Sequence, residues 1–233
     1  MTLPTATARL EAWALTNTTN TDQEQTMEHP ILMSGTLVRA TLSGAKTQTR
    51  RLITPLPEPP FMPQQSWGPK GLEIAFGPTN RREDGGPRWW RCPFGGVGDR
   101  LWVRETWACL SGVVRPGEPL AYRADTAGGE RVRVDAPWRP SIHMPRWASR
   151  LTLEITEVRA QRLQDCSEED ARAEGVHHLT RMLLDATIPD DVAAATRGGA
   201  RSAFAALWDT ISGKRATWAS NPWVWAITYR VVP

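Results

Sequence analysis

Apolar positions alternate along several stretches of this chain and recur at helical spacing along others. Trp223, Trp225, Ile227, Tyr229 and Val231 occupy every second position near the C-terminus, the pattern of a half-buried strand. Leu151, Leu153 and Ile155 predict another strand. Residues 99–107 predict a third, with Leu101, Val103 and Glu105 on one face and Trp102, Arg104 and Thr106 on the other. A strand over 46–53 and shorter ones at 120–123 and 131–134 complete the β pattern.

Helical spacing is sparser. Leu37, Val38 and Leu42 follow Ser34, a good N-cap, and Gly44 closes the segment. Ser167 opens a short helix with Glu168, Glu169 and Asp170 in its first turn and Gly175 just past its end. Phe204, Leu207, Trp208 and Ile211 predict a helix over 201–211, ended by Gly213. Residues 176–198 read as a broken helix and loop, and Pro140 and Pro145 make 138–147 a rigid loop. Residues 54–98 are crowded with Pro and Gly and predict a long surface excursion. Residues 1–28, rich in Thr, Asn and Gln, predict a disordered extension ahead of a single domain over 29–233. Five or six strands with few helices imply a mixed α+β fold, a small and mostly antiparallel β-barrel with peripheral helices and long loop insertions.

Composition narrows the function classes. No apolar run reaches the roughly 18 residues of a membrane span, so no membrane partner is expected. Three widely spaced cysteines without a CxxC pair favour reduced thiols and a cytoplasmic setting over disulfides or zinc. The four histidines form no ligand set, so neither a metal nor another cofactor is expected. The net charge of +3 is carried almost wholly by arginine. In residues 1–28, Arg9 stands against Glu11, Asp22, Glu24 and Glu28, which leaves the positive excess on the rest of the chain. Such a body, with 12 tryptophans able to stack on bases, suits a nucleotide or nucleic-acid partner.

Lysine is rare: Lys46, Lys70 and Lys214 against 25 arginines. Lys46 falls within Gly44-Ala45-Lys46-Thr47-Gln48-Thr49-Arg50-Arg51. A lysine amine can lose its proton when desolvated or placed beside other cations, whereas guanidinium does not. On a strand, Thr47, Thr49 and Arg51 share one face and Gln48 and Arg50 the other. Glu174 is a second oddity, a carboxylate in the last turn of a helix, where the dipole disfavours it.

The octapeptide resembles the G-x-K-x-x-T-x-R signature of the ASCH superfamily, matching at Gly44, Lys46, Thr49 and Arg51. Gly98-Asp99 leading into a strand, and the aromatic closing strand, are similar to further pieces of that family. The longer phrases at 98–107 and 138–150 resemble a subgroup encoded by bacteriophages and prophages, which implies the cytoplasm of a bacterial host. The resemblance covers about residues 29–232 and implies a PUA-like barrel that binds RNA or a modified nucleoside. One branch of the superfamily hydrolyses 4-N-acetylcytidine with a Lys, a Thr and a Glu. The matching positions here are Lys46, Thr49 and, through the local pattern Ala171–Glu174, Glu174.

That chemistry is coherent. Thr49 is placed to attack an acyl carbon or to position a water, and Lys46 to take the proton. Glu174 would orient the amine or accept a proton from the leaving cytosine, and Arg51 would hold an oxyanion or a phosphate. Gly44, Thr47, Arg51, Glu105, Arg139, His143, Arg146 and Trp147 are candidate substrate or nucleic-acid contacts. The alternative is a non-catalytic RNA- or nucleotide-binding module in which the same cations hold phosphates.

Overall fold

The alternating segments meet edge to edge in one central sheet. A computed structural model describes residues 26–54, 63–68, 71–76, 89–128, 136–176, 198–212 and 214–233. The sheet has five strands in the order β1-β6-β9-β10-β2, where β1 is Glu28–Leu32, β2 Gln48–Leu52, β6 Arg100–Arg104, β9 Thr152–Arg162 and β10 Trp223–Val232. All neighbours are antiparallel except β1 and β6, which run parallel. β1 went unread because it is short and carries Pro30, and only its partner's position reveals it.

The inner face of the sheet holds the main core. Ile31, Leu101, Val103, Leu153, Ile155, Trp225 and Ile227 all lie there. Each fully buried aliphatic side chain contributes about 1.5–3 kcal/mol. Helix α1, Gly35–Leu42, covers this core through Val38; Ser34 Oγ caps it by accepting from Leu37 N–H. The two edge strands approach each other across the core. Arg51 Nη2 donates to the Leu32 carbonyl at 2.7 Å, joining β2 to β1 through a side chain. Among the described residues no main-chain pairing closes the sheet into the expected barrel.

The outer face of β10 carries a second cluster. Val224 packs there with Ala171 of α2, Glu168–Ala173, and with Phe204 and Trp208 of α3, Ala200–Ser212. A β7–β8 hairpin, Trp107–Cys109 with Leu120–Tyr122, forms a third cluster with Met144 and Ala148.

Three expectations change in detail. The strand over 99–107 is two, because β6 ends at Arg104 and Trp107 begins a different sheet. Within 54–98, residues Pro63–Gly68 (β3), Gly71–Phe76 (β4) and Trp89–Arg91 (β5) pair as a three-stranded antiparallel sheet. The loop over 138–147 contains two 3-10 turns, Ser141–His143 and Arg146–Ala148. Residues 1–25, 129–135 and 177–197 lie outside the described residues, and with them the strand expected at 131–134 and most of the ambiguous 176–198 segment. The domain begins slightly before residue 29: Met27 N–H donates to Asp99 Oδ1, and Glu28 opens β1.

Candidate active site

The octapeptide is a turn between two helix ends and an edge strand. Gly44 takes φ +74°, the left-handed conformation that lets the chain leave α1. Lys46 N–H then donates to the Ala40 carbonyl of α1, and Thr47 N–H to the Ala173 carbonyl of α2. The Lys46 side chain is thereby carried to the C-terminus of α2. Gly175, at φ +80°, passes close against it: a Cβ there would stand 3.0 Å from Lys46 Cβ.

Lys46 is 2% exposed and its three N–H groups all have acceptors. Its Nζ donates to Glu174 Oε2 at 2.7 Å, to the Gln48 carbonyl at 2.6 Å and to the Glu174 carbonyl at 3.2 Å. The last two are main-chain carbonyls with no other hydrogen-bond partner among the described residues. Hydrogen bonds from Tyr229 N–H to Thr47 O and from Ile53 N–H to Trp223 O fix which residues of β2 face β10. Alternation then turns the main-chain groups of Gln48, Arg50 and Leu52 to the free edge, where the amine meets Gln48 O.

Glu174 is 4% exposed and is held by two cations. Oε1 accepts from Arg50 Nη1 at 3.1 Å while Oε2 accepts from Lys46. This resolves the oddity of a carboxylate at a helix end, since the ammonium and guanidinium offset the helix's negative pole. Arg50 Nη1 also donates to Gln48 Oε1 at 2.6 Å. Its Nη2 lies 2.8 Å from Asp170 Oδ2, and its guanidinium sits 5.7 Å from the Phe204 ring centre. Asp170 in turn makes the reciprocal cap of α2 with Ser167 and accepts from Arg159.

Burial pushes the Lys46 amine below its ordinary value; Glu174 pulls it back up, and Arg51 and Arg50 press it further down. Three oxygen acceptors nevertheless match an ammonium, which has three protons and no lone pair. Resting Lys46 is therefore protonated.

A cavity of about 580 Å³ opens beside this network. Lys46, Thr49, Arg50, Arg51 and Glu174 line its inner part, with Phe204 and Trp208 of α3 as an aromatic wall. Lys214 and Arg215 stand at its exposed end. Because β2 is an edge strand, residues of both its faces reach the cavity. Thr49 and Arg51 come from the core side, where their partners Ile227 and Trp225 lie, and Arg50 from the helix side. The Thr49 hydroxyl makes no hydrogen bond among the described residues. Arg50 Nε and Arg51 Nε are buried without hydrogen-bond partners.

The other expected contacts lie elsewhere. Gly44 and Thr47 are exposed and do not line the cavity; their contribution is the main-chain turn. Glu105 is 1% exposed and faces Arg150, whose Nε donates to it at 2.9 Å and whose other nitrogens grip Asp125. Arg139 lies over Trp107, Arg146 pairs with Glu28, and Trp147 packs edge-on to Trp107. With exposed His143 these residues belong to the hairpin and 3-10 turns, away from Lys46. Sequence reasoning missed Asp170 and Gln48, which orient Arg50, and the α3 residues Phe204 and Trp208. Asp170 had a signal, its place at the third residue of a capped helix; Phe204 and Trp208 read as core alone.

Comparison with protein-family models, curated proteins and solved structures finds no match. The site is therefore read from its own geometry. Among the described residues no cluster of three His, Cys, Asp or Glu could hold a metal, and no helix is long and apolar enough to cross a membrane.

Proposed function

We propose that this chain is an ASCH-type amide hydrolase acting on an acylated cytidine or a similar modified nucleoside. One observation carries the reading: Lys46 and Glu174 form a 2.7 Å buried pair on the wall of a cavity that Thr49 also lines. A volume of about 580 Å³ lies within the usual range for small-ligand sites. Phe204 and Trp208 offer an apolar wall for a base.

The proton inventory sets the order of steps. Lys46 must first release a proton along the Nζ–Oε2 bond to Glu174, leaving a neutral amine and a carboxylic acid. The pair then remains uncharged overall, which a ligand-filled, water-poor cavity favours. The amine lone pair accepts the Thr49 proton as its oxygen bonds to the acyl carbon. Arg51, with a buried free Nε, faces the developing oxyanion. Collapse breaks the C–N bond, and Glu174 returns its proton to the leaving exocyclic nitrogen. Lys46 again passes a proton to Glu174 and then takes one from a water, whose oxygen bonds to the acyl carbon. The ester C–O bond breaks, the Thr49 oxygen recovers its proton from Lys46, Glu174 returns its proton to the amine, and the carboxylic acid leaves.

A second reading has its own observation. In the resting site both carboxylate oxygens of Glu174 and all three protons of Lys46 are engaged, as in a structural ion pair beside a binding pocket. A non-catalytic RNA- or nucleotide-binding module would use that arrangement unchanged. Incubation with 4-N-acetylcytidine separates the two. Release of acetate, abolished in Thr49→Ala and Lys46→Ala, supports hydrolysis; binding without acetate release defeats it.

A further inference from the structure

Most described arginines are engaged. Arg50, Arg146, Arg150, Arg159 and Arg230 hold carboxylates, and Arg201 lies over Trp218. Lys214 and Arg215 differ. Their side chains are exposed and make no ion pair or hydrogen bond among the described residues, yet both line the cavity. They follow the C-terminus of α3 and are fixed there by main-chain bonds from Arg215 and Ala216 to the Ser212 carbonyl. Among the described residues the cavity thus carries Lys46, Arg50, Arg51, Lys214 and Arg215 against one carboxylate, Glu174.

The charges are also layered by depth. Lys46 and Arg50 are buried and already matched to Glu174, Asp170 and main-chain oxygens. Lys214 and Arg215 are neither buried nor matched among the described residues, and Ser212 also lines the cavity. A ligand that only offered an uncharged acylated base and sugar would leave this rim unused. A phosphate is strongly hydrated, so it is held most cheaply at an exposed mouth by paired cations, while the base enters the apolar, buried part.

We propose that the cavity selects a 5′-phosphorylated nucleoside over the bare nucleoside, with Lys214 and Arg215 holding the phosphate. This rests on reading the inner cavity as a nucleoside site. It leaves Arg51 free for the oxyanion in the hydrolytic scheme.

The test compares 4-N-acetylcytidine with its 5′-monophosphate on the full chain, by acetate release and by equilibrium dialysis. Wild type is expected to favour the monophosphate about tenfold or more in kcat/KM or in affinity, as exposed charge-assisted contacts do. In K214A/R215A the ratio should fall towards one, and in K214R/R215K it should be retained. Raising salt should shrink the wild-type preference. Turnover of both compounds without a preference overturns this proposal and leaves hydrolysis standing. Preferential binding of the monophosphate, lost in K214A/R215A but with no acetate released, supports the phosphate site and removes the hydrolase reading. Equal or absent binding of both overturns the phosphate site.

Discussion

Lys46 Nζ lies 2.7 Å from Glu174 Oε2 across 128 residues of sequence, and neither side chain is more than 6% exposed. Two charges removed from water need both a close partner and full hydrogen bonding. Here the pair has both: Arg50 completes the carboxylate, and two main-chain carbonyls complete the ammonium. Since removing one member of such a pair exposes the other, this contact anchors α2 to the free edge of β2.

Lys46→Ala is therefore expected to cost stability as well as activity. Arg50 still faces Glu174, so the loss should lie near the lower end of the range for broken buried pairs, about 3 kcal/mol. Urea unfolding measures it. Lys46→Met with Glu174→Gln, which removes both charges, should recover much of the stability and none of the acetate release. If the double variant is no more stable than Lys46→Ala, the pair is not what Lys46 contributes.

Thr49→Ala separates chemistry from folding. Its hydroxyl has no hydrogen bond among the described residues, and its partner Ile227 on β10 keeps the strand in place. A change of about 1 kcal/mol or less in stability is expected. Acetate release should drop by a hundredfold or more while ligand binding by dialysis persists. Loss of binding together with turnover would instead make Thr49 a contact residue.

Gly44 and Gly175 form an internal control. Both have positive φ, +74° and +80°, so alanine at either should cost about 1–2 kcal/mol. Only at Gly175 would the new Cβ crowd Lys46 Cβ at 3.0 Å; nothing lies within 4 Å at Gly44. Gly175→Ala should therefore lower kcat beyond its effect on melting temperature, and Gly44→Ala should not. Equal kcat losses would break the link between Gly175 and the lysine.

Two carboxylates are expected to shift acid stability in opposite directions. Burial raises Asp170, but Arg50, the Ser167 N–H, Gln48 and Arg159 outweigh it and hold it below its ordinary value. Its stabilising contribution is then complete above about pH 4 and lost as pH falls through the lower folded value. Burial raises Glu105 above its ordinary value despite Arg150. The folded state binds that proton more tightly, so the group's contribution declines as pH rises from about 4.5 through the folded value. At Arg150 the balance is reversed, with the carboxylates outweighing burial. Melting temperature against pH for Asp170→Asn and Glu105→Gln should show slopes differing from wild type with opposite sign. Slopes of the same sign would contradict the burial difference between the two sites.

Local patterns were legible where one element carries its own signal. The alternation in β9 and β10, the caps at Ser34 and Ser167, the turn at Gly44 and the face-sharing of Thr49 and Arg51 all follow from dihedral and periodicity rules acting over a few residues. β9 nonetheless runs to Arg162, because its alternation slips by one residue at exposed Thr156 and Glu157, where the pairing with β10 shifts register between Thr228 and Tyr229, and resumes at Val158 and Ala160. β1 carries too little apolar period to announce itself, and its parallel partner β6 lies about seventy residues away.

Residue order alone makes Lys46 the unusual amine of an arginine chain, sets Thr49 and Arg51 on one side of a strand, and ends a capped helix at Glu174. Tertiary structure alone decided that Lys46 and Glu174 touch, and that Glu105, Arg139, His143, Arg146 and Trp147 gather at a different place. It also decided that α3 walls the cavity and brings Lys214 and Arg215 to its mouth. The reason is physical. Backbone geometry fixes the direction of side chains within one element, but which helix end meets which sheet edge depends on burial summed over the whole chain.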